Sequence, residues 1–427
     1  MEKTKLSAQK QAEMRQTAKM LGKWTLLALI SGLIIGVVGV LFAHAVNWAT
    51  AARRANGWLL YLLPAGGLCI VWLYRRCGMA GDTGTNRVLR AVRRQGEMPL
   101  RTAPLIIVST VITHLLGGSS GREGAALQMG ASLSAAIEKV IPLDRKDDKI
   151  IKMCGMSAGF SALFGTPLAA TVFAMECVTV GKMHYAALYP CLLSALTAKL
   201  TALKLGGHPE AFALAGVPAL TAGAVVQVAL LGVCCGLIAR LFCWALGKAH
   251  HLYHHFLPNP YTAVFAGGCI VIVLTLLVGT RDFNGAGMDV IERMLHEGAS
   301  PVAFLLKIVF TAATLACGFK GGEIVPAFFT GAAFGAAFGG LIGLTPSFAG
   351  GVCMVAVFCG VTNAPLASVL LAYELFGGAG LPLIFLAIAL SFLLSGYSSL
   401  YSEQVINYGK LSPEYLGKTS GELMEHD

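Results

Sequence analysis

The sequence GREG at residues 121–124, followed about forty positions later by PLAATVFAME at residues 167–176, has a counterpart further along the chain. The counterpart is GGE at residues 321–323 with PLASVLLAYE at residues 365–374, displaced by about two hundred positions. Each copy places a glutamate beside glycine and, later, a proline-led apolar helix that ends in glutamate. Related halves with glycine-broken helices are typical of membrane transporters whose site lies between the repeats. The repeat therefore predicts an intramembrane site built from both halves.

The composition is that of a membrane protein. Hydrophobic residues make up 56% of the chain and charged residues 13%, whereas a soluble domain contains roughly 25% charged residues. The 51 glycines and 16 prolines indicate broken helices, which a bilayer tolerates only where the freed backbone groups are buried in protein or line a wet cavity. Apolar runs that reach or approach the ~20 residues needed to span hydrocarbon are residues 24–46, 58–74, 103–118, 153–180, 186–204, 218–246, 262–279, 301–317, 324–345, 350–376 and 380–399.

The excess of ten positive charges flanks these apolar runs, with basic clusters in residues 3–23, 75–76, 87–101 and 145–152. This placement follows the positive-inside rule, so we expect both termini to be cytoplasmic and the partner to be the lipid bilayer rather than nucleic acid. The first apolar run begins only at Trp24 and exceeds the ~7–15 residues of a signal-peptide core. It is therefore predicted to be an uncleaved helix.

The cysteines and histidines do not indicate a metal site. The twelve cysteines are scattered through apolar segments without metal-ligand spacing. The four histidines in residues 250–255 form two i, i+4 pairs, a spacing that can hold a transition metal, but they lie beside Lys248 at the end of an apolar run. We interpret them as an interfacial polar helix end, and we expect neither a metal nor a cofactor.

Glu123 is the strongest candidate for a functional residue. It lies among glycines between two apolar runs, where an unpaired charge costs at least ~2.5 kcal/mol. Arg122 offers a structural explanation, an ion pair at a helix end, yet adjacent residues on a helix point in different directions. The flanking Gly121 and Gly124 indicate free backbone N–H groups at the start of a broken helix, which is a geometry that binds anions. We therefore predict a role in transport.

The repeated segments resemble the signature of the CLC family of chloride channels and proton-coupled anion transporters. The similarity extends from about Gly81 to Tyr401, and its motifs occur in the family's order along the chain. The matching segments are GREG at residues 121–124 with Gln128 and Gly130, GGEIVP at residues 321–326 and LYS at residues 400–402.

This resemblance implies an all-α membrane protein with the CLC-type inverted-repeat fold of tilted and broken helices. It also implies a homodimer with one pathway per subunit. The expected organisation is a basic cytoplasmic segment at residues 1–22, a first transmembrane repeat at residues 23–205, a second at residues 206–402 and a cytoplasmic tail at residues 403–427.

Departures from the chloride-carrying pattern resemble one branch of the family. Chloride carriers have a glycine-serine-glycine-isoleucine-proline segment at the first anion-coordinating helix, where this chain has GDTGTN at residues 81–86. Ala125 replaces a proline of the signature, and Cys177 stands where a proton-transfer glutamate is expected. Glu323 adds a carboxylate to the second glycine-rich motif. This combination resembles the bacterial fluoride/proton antiporters, in which methionine or threonine replaces the serine.

The branch implies that a threonine hydroxyl contacts the anion. We assign this position to Thr85, with Thr83 as the competing assignment because the loop length is open. Fluoride is small, strongly hydrated and a strong hydrogen-bond acceptor, so its site must replace water with donors. The predicted donors are the hydroxyls of Thr85 and Tyr401 and the backbone N–H groups of Gly124, Ala125, Ala126, Leu127, Ile324 and Val325.

Glu123 is predicted to gate this path and to couple it to protons. Its ionised carboxylate satisfies the same donors as the anion, whereas burial favours the protonated form, which must leave them. Glu323 is a second proton-transfer candidate, or else a carboxylate held by a helix dipole. Lys320 is its counter-charge or merely a polar neighbour. Asn363, at a helix break, is either a pathway donor or a plain cap.

The sequence thus favours a secondary active transporter that exports fluoride from a bacterial cytoplasm across the inner membrane in exchange for protons and carries chloride poorly. The alternative is a chloride or nitrate channel, or a chloride/proton antiporter, of the same fold. No enzyme is indicated, because the sequence lacks the His-Glu-x-x-His and Gly-x-Ser-x-Gly motifs. Glu176 and Glu374, which end the repeated helices, are predicted to cap or pair rather than to act in transport.

Overall fold

Helices of very different lengths make up nearly all of the architecture. The computed structural model describes residues 2–94, 96–138, 141 and 143–424. Within these residues six helical stretches are long and apolar enough to cross a membrane, and six further apolar helices are only 10–17 residues long. Because a helix rises 1.5 Å per residue, the short helices do not span the ~30 Å hydrocarbon core individually.

The described residues of the first predicted repeat form eight α-helices. Its first helix, α1, is 54 residues long, so the basic N-terminal segment continues into the first membrane span without a break. Short 3-10 turns precede α2 and α8. The helices are α1 (Glu2–Ala55), α2 (Leu63–Arg76), α3 (Thr85–Arg94), α4 (Thr102–Leu116), α5 (Glu123–Ile137), α6 (Arg145–Phe164), α7 (Pro167–Glu176) and α8 (Leu188–Lys204).

The second predicted repeat forms another eight α-helices. The side chains of Thr221, Asn259 and Thr345 cap α9, α10 and α14 by accepting a hydrogen bond from the first turn, as short polar residues do at helix starts. Proline stands in the first turn of α10, α14, α15 and α16, where its missing N–H is not needed. The helices are α9 (Ala222–Phe256), α10 (Pro260–Val278), α11 (Met288–Glu297), α12 (Ala303–Leu315), α13 (Ile324–Phe338), α14 (Pro346–Thr362), α15 (Pro365–Phe376) and α16 (Leu381–Leu394).

Two of the long apolar runs each divide into two helices, at corresponding places. The run at residues 153–180 breaks between α6 and α7 at Gly165, which has a left-handed φ of 74°. The run at residues 350–376 breaks between α14 and α15 at Asn363, with φ 54°. Glycine and asparagine are the residues that accept this conformation at a helix end. Asn363 is therefore a helix cap.

Glycine brings the helix pairs α5–α6 and α13–α14 into backbone contact. A Cβ at Gly130 would overlap the carbonyl oxygen of Gly155, and a Cβ at Gly331 would overlap that of Cys353. Small residues allow this approach between membrane helices. All residues from Ser347 to Thr362 in α14 are buried. The core therefore lies around the α13–α14 pair, and these close helix contacts position the starts of α5 and α13.

The C-terminal segment is folded, whereas the sequence predicted only a short polar tail. Strand β1 (Thr179–Val180) pairs in parallel with β2 (Val405–Tyr408), and β2 pairs antiparallel with β3 (Tyr415–Thr419). Helix α17 (Ser420–Met424) follows. The strands are too short, at two to five residues, for period-2 alternation to be recognised in the sequence.

Candidate functional site

The two glycine-rich motifs meet through mutual backbone hydrogen bonds. The N–H of Gly121 donates to the carbonyl of Gly322 at 2.7 Å, and the N–H of Gly322 donates to the carbonyl of Gly121 at 2.7 Å. Helices α5 and α13 begin two residues beyond these glycines, at Glu123 and Ile324. Two helix N-termini, with their free N–H groups and positive dipole ends, therefore converge on one place.

The free donors at these starts are fewer than predicted. In α5 the N–H of Ala126 already donates to the carbonyl of Arg122 at 2.9 Å, and Leu127 lies one residue deeper in the helix. The prediction that these two N–H groups face the anion is corrected, because only the first turn leaves its N–H groups without a partner. Gly124 and Ala125 remain available in that turn.

The two predicted donors of α13 lie in its first turn, where backbone N–H groups have no intrahelical partner. The N–H of Ala327 donates to the carbonyl of Glu323 at 3.1 Å, and Pro326 has no N–H. Ile324 and Val325 precede both and lie in the first turn. The start of α13 thus offers two backbone donors beside those of α5.

Glu123 is folded against the start of its own helix. The residue is 1% exposed, and its Oε2 accepts a hydrogen bond from the backbone N–H of Arg122 at 2.9 Å. The Arg122 guanidinium is directed mainly at Glu210, to which it donates at 2.7 Å, while its Nε lies 3.7 Å from Glu123. The ion pair between neighbours is therefore the weaker contact of Arg122, and the carboxylate rests on backbone donors.

Glu323 lies at the N-cap of α13 and faces the first turn of α5. Within the described residues its Oε2 is buried without a hydrogen-bond partner. A Cβ placed on Gly124 would lie 3.3 Å from this oxygen and 3.4 Å from the hydroxyl of Thr85. Lys320 places its ammonium 4.6 Å above the ring of Tyr74. Glu323, Thr85 and the start of α5 therefore share one small space.

Thr85 and Thr83 differ in their surroundings. Thr85 is the first residue of α3 and is 7% exposed, and its hydroxyl accepts from Gln128 Nε2 at 3.4 Å. Thr83 is exposed. Gly84 between them has φ 61°, a conformation that glycine adopts without strain and that turns the chain into α3. The geometry thus directs the Thr85 hydroxyl, rather than that of Thr83, toward α5.

Tyr401, which follows α16, contributes a hydroxyl group to the site where α5 and α13 begin. It is 1% exposed, and within the described residues its hydroxyl has no hydrogen-bond partner. Glu323 and, more weakly, Glu123 contribute to the electrostatic environment of this hydroxyl. Its backbone N–H donates to Ser399 Oγ at 3.1 Å. The hydroxyl is therefore a free donor at the site.

Gln404 is a positioning residue that the sequence analysis missed. Its amide donates to the carbonyls of Cys177 at 2.9 Å and Thr362 at 2.8 Å, and its oxygen accepts from Asn363 at 2.9 Å and Ser399 at 2.9 Å. These bonds join both repeats to the segment that carries Tyr401. The sequence around Gln404 did not indicate this positioning role, because its hydrogen-bond partners in both repeats are remote in sequence.

In the part of the chain that the structure describes, three buried polar atoms around this space lack a hydrogen-bond partner. Gln128 Oε1, Glu323 Oε2 and Tyr401 Oη have none within the described residues, although buried polar groups in proteins are nearly always hydrogen-bonded. Donors from Tyr401 and two helix starts, together with the acceptors of Glu323 and Gln128, suit a small hydrated anion and a proton. Among all the residues that the structure describes, no group of three or more His, Cys, Asp or Glu is arranged to hold a metal.

Comparison with known proteins covers most of the chain. The family model described as voltage gated chloride channel matches residues 66–396. A chloride/fluoride channel protein of Pseudomonas syringae pv. tomato is 34% identical over 397 residues, which are 91% of this chain and 88% of that protein. The crystal structure of a CLC-type fluoride/proton antiporter superposes with a TM-score of 0.88 at 30% identity, covering 90% of this chain and 98% of the other.

A second solved structure, a slow cyanobacterial Cl⁻/H⁺ antiporter, has the same fold. It superposes with a TM-score of 0.75 at 20% identity, over 87% of this chain and 94% of the other. The helical arrangement described above is therefore shared with both structures.

Proposed function

The chain belongs to the voltage-gated chloride channel family and has its CLC-type fold, and we propose that it is a secondary active transporter that exports fluoride in exchange for protons. The observation that carries this proposal is the unpartnered carboxylate oxygen of Glu323 beside the Thr85 hydroxyl and the first turn of α5. A second carboxylate at the anion site suits a proton-coupled carrier better than an open channel. The fluoride/proton antiporter of similar structure and the chloride/fluoride channel relative support the choice of anion.

Fluoride would bind where the two helix starts meet. Its donors are the N–H groups of Gly124, Ala125, Ile324 and Val325, with the hydroxyls of Thr85 and Tyr401. Charge-assisted hydrogen bonds of this kind are about twice as strong as neutral ones. They replace the hydration shell that the ion loses, and the dipoles of α5 and α13 add favourable partial charge.

Exchange follows from the position of Glu123. In its ionised form the carboxylate accepts from the backbone at the start of α5 and so competes with fluoride for donors. Protonation turns one oxygen into a donor and removes the charge, so the side chain leaves and the anion enters. Each fluoride admitted is thereby linked to one proton held on Glu123.

Glu323 provides the second proton position. Because Cys177, buried in the first repeat, has no carboxylate to offer, protons need another acceptor on the way to Glu123. The Oε2 of Glu323 is free to accept one and lies beside the first turn of α5. A protonated Glu323 can also donate a hydrogen bond to fluoride, so proton and anion stabilise each other at this place.

We infer the membrane orientation from ion pairs formed by residues in the basic clusters. Lys23, at the base of the first span, forms an ion pair with Asp147 beside the cluster at residues 145–152. Glu403 of the C-terminal segment forms ion pairs with Arg90 and Arg93 of α3. Both termini therefore lie with basic clusters, which the positive-inside rule assigns to the cytoplasm. The protein would lie in a bacterial inner membrane as a homodimer of two-repeat subunits, residues 23–205 and 206–402.

A liposome assay tests the function. Purified protein is reconstituted with internal fluoride or chloride, and efflux is recorded with an ion-selective electrode while a trapped dye reports internal pH. Fluoride efflux that drives proton uptake, with much slower chloride efflux, is the expected result. Equal or faster chloride efflux would favour the chloride alternative, and fluoride efflux without proton uptake would favour a channel.

A further inference from the structure

An apolar groove with a basic rim lies on the surface of the helix bundle. It is bordered by α9, α10 and α12 and has a volume of about 460 Å³. None of its lining residues belongs to the anion site. Large apolar side chains that are exposed form much of its wall, namely Trp244, Leu252, Phe256, Ile270 and Val309.

The basic rim is formed by one face of α9. Lys248 lines the groove, and at 100° per residue His251 and His255 lie within about 60° of it on the helix. The rings of these two histidines stack with centroids 6.3 Å apart. His250 and His254 lie on the opposite face by the same helical geometry. The histidine cluster therefore divides into a pair on the Lys248 side of α9 and a pair on the other side of the helix.

This end of α9 reaches the membrane surface. Lys248 lies 26 residues after Ala222, the first residue of α9, which is about 39 Å along the axis and beyond the ~30 Å of hydrocarbon. Trp244 one turn earlier is a residue type enriched at the interface. Lys248 is thus at the level of lipid head groups, and the part of the groove lined by Trp244 and Ile270 extends from there toward the acyl chains.

The charge around the groove has one sign. Residues 211–281 contain no aspartate or glutamate, so no carboxylate from α9 or α10 neutralises Lys248. Basic pockets between membrane helices bind anionic head groups. A zwitterionic lipid would place its own cation beside Lys248.

We propose that this groove binds an anionic phospholipid. The phosphate accepts hydrogen bonds from Lys248 and the His251–His255 pair, and one acyl chain lies against Trp244 and Ile270. The floor of the groove is fixed by the hydroxyl of Tyr253, which donates to the carbonyl of Ala313 at 3.4 Å. That bond joins α9 to α12, the helix that leads to the second glycine motif.

Native mass spectrometry of the full-length protein in detergent tests the proposal. Wild type should retain phosphatidylglycerol in clear preference to phosphatidylcholine. The triple variant Lys248→Ala, His251→Ala, His255→Ala should lose that preference, with about fivefold of the loss due to Lys248. The matched control His250→Ala, His254→Ala should keep it, and Lys248→Arg should keep it as well.

Acyl-chain contact is tested separately by fluorescence. Brominated phosphatidylglycerol should quench wild type more than Trp244→Phe, and Ala249→Trp, which fills the groove, should reduce lipid retention with the rim intact. Equal retention of both lipids by wild type, or equal loss in the control double variant, overturns the proposal. Mass spectra showing that Ala249→Trp dissociates a dimer while lipid retention is unchanged would assign the groove to a second copy of the chain.

Discussion

Glu176 and Glu374 cap each other's helices reciprocally. The Glu176 carboxylate at the end of α7 accepts from the N–H groups of Leu366 at 3.2 Å and Ala367 at 2.9 Å in the first turn of α15. The Glu374 carboxylate at the end of α15 accepts from Leu168 at 3.1 Å and Ala169 at 2.9 Å in the first turn of α7. The two repeats therefore meet in an antiparallel helix pair whose ends are equivalent, and the predicted capping role is the one observed.

Removing either cap should destabilise the protein. Glu176→Ala leaves two buried N–H groups without a partner, which costs about 1–3 kcal/mol, and Glu374→Ala should cost less because its carboxylate is less buried. Thermal unfolding in detergent checks both, with Glu414→Ala in the exposed C-terminal segment as control. Unchanged midpoints in both variants would show that the caps do not contribute to stability.

Glu123→Gln should uncouple anion movement from protons. The amide cannot ionise, so it neither competes as an anion nor carries a proton, while its size is nearly unchanged. Fluoride efflux from liposomes should continue and dye-reported proton uptake should fall to background. Proton uptake at the wild-type ratio in Glu123→Gln would remove Glu123 from the coupling mechanism.

The Thr85 hydroxyl should influence selectivity between anions. Thr85→Ser keeps the hydroxyl and removes the methyl group that narrows the site, so chloride transport should rise relative to fluoride. Each ~1.4 kcal/mol of differential stabilisation changes the ratio tenfold. Thr83→Ser, at the exposed neighbour, is the matched control and should leave the ratio unchanged. A change in Thr83→Ser alone would reassign the contact.

Gly124→Ala should obstruct the site. Its Cβ would lie 3.1 Å from the Cα of Gly322 and 3.3 Å from Glu323 Oε2, in the space assigned to the anion. Transport should fall about tenfold or more, which corresponds to ~1.4 kcal/mol, with normal elution from a sizing column. Gly81→Ala, where a Cβ meets no atom within 4 Å, controls for the substitution itself. Full activity of Gly124→Ala would place the anion elsewhere.

Attachment of the C-terminal segment should depend on pH through Glu403. The hydrogen bond from Arg90, with the charges of Arg90 and Arg93, lowers the pKa of this carboxyl below its ordinary value. Because this pKa is lowered, the ion pair stabilises the folded segment above the unfolded pKa of ~4.3. That contribution is lost as pH falls through the folded pKa.

Glu403→Gln should therefore loosen the segment at pH 7, by no more than about 1 kcal/mol for a partly exposed pair. Limited proteolysis of residues 403–424 as pH is lowered from 7 measures this. The difference between wild type and variant should disappear in acid. A difference between wild type and variant that does not shrink as pH falls below the unfolded value of ~4.3 would contradict the assignment.

The sequence by itself determined the membrane class, the repeat and the family, because these depend on composition and on local patterns. Apolar runs set where helices form, and each of the eleven predicted runs falls on helices of the structure. Glycine beside glutamate marked the starts of α5 and α13. Glu123 was identifiable because a carboxylate among glycines at membrane depth has few structural explanations.

Tertiary structure alone decided which groups meet. Thr85 could not be separated from Thr83 until the left-handed turn at Gly84 was seen, and Ala126 could not be excluded until the first residue of α5 was fixed. The Gly121–Gly322 bonds and the bond from Gln404 to Cys177 join positions about two hundred residues apart, so no local pattern records them. The sequence specifies each helix through short-range periodicity, but the anion site exists only where the packing of the two halves brings their ends together.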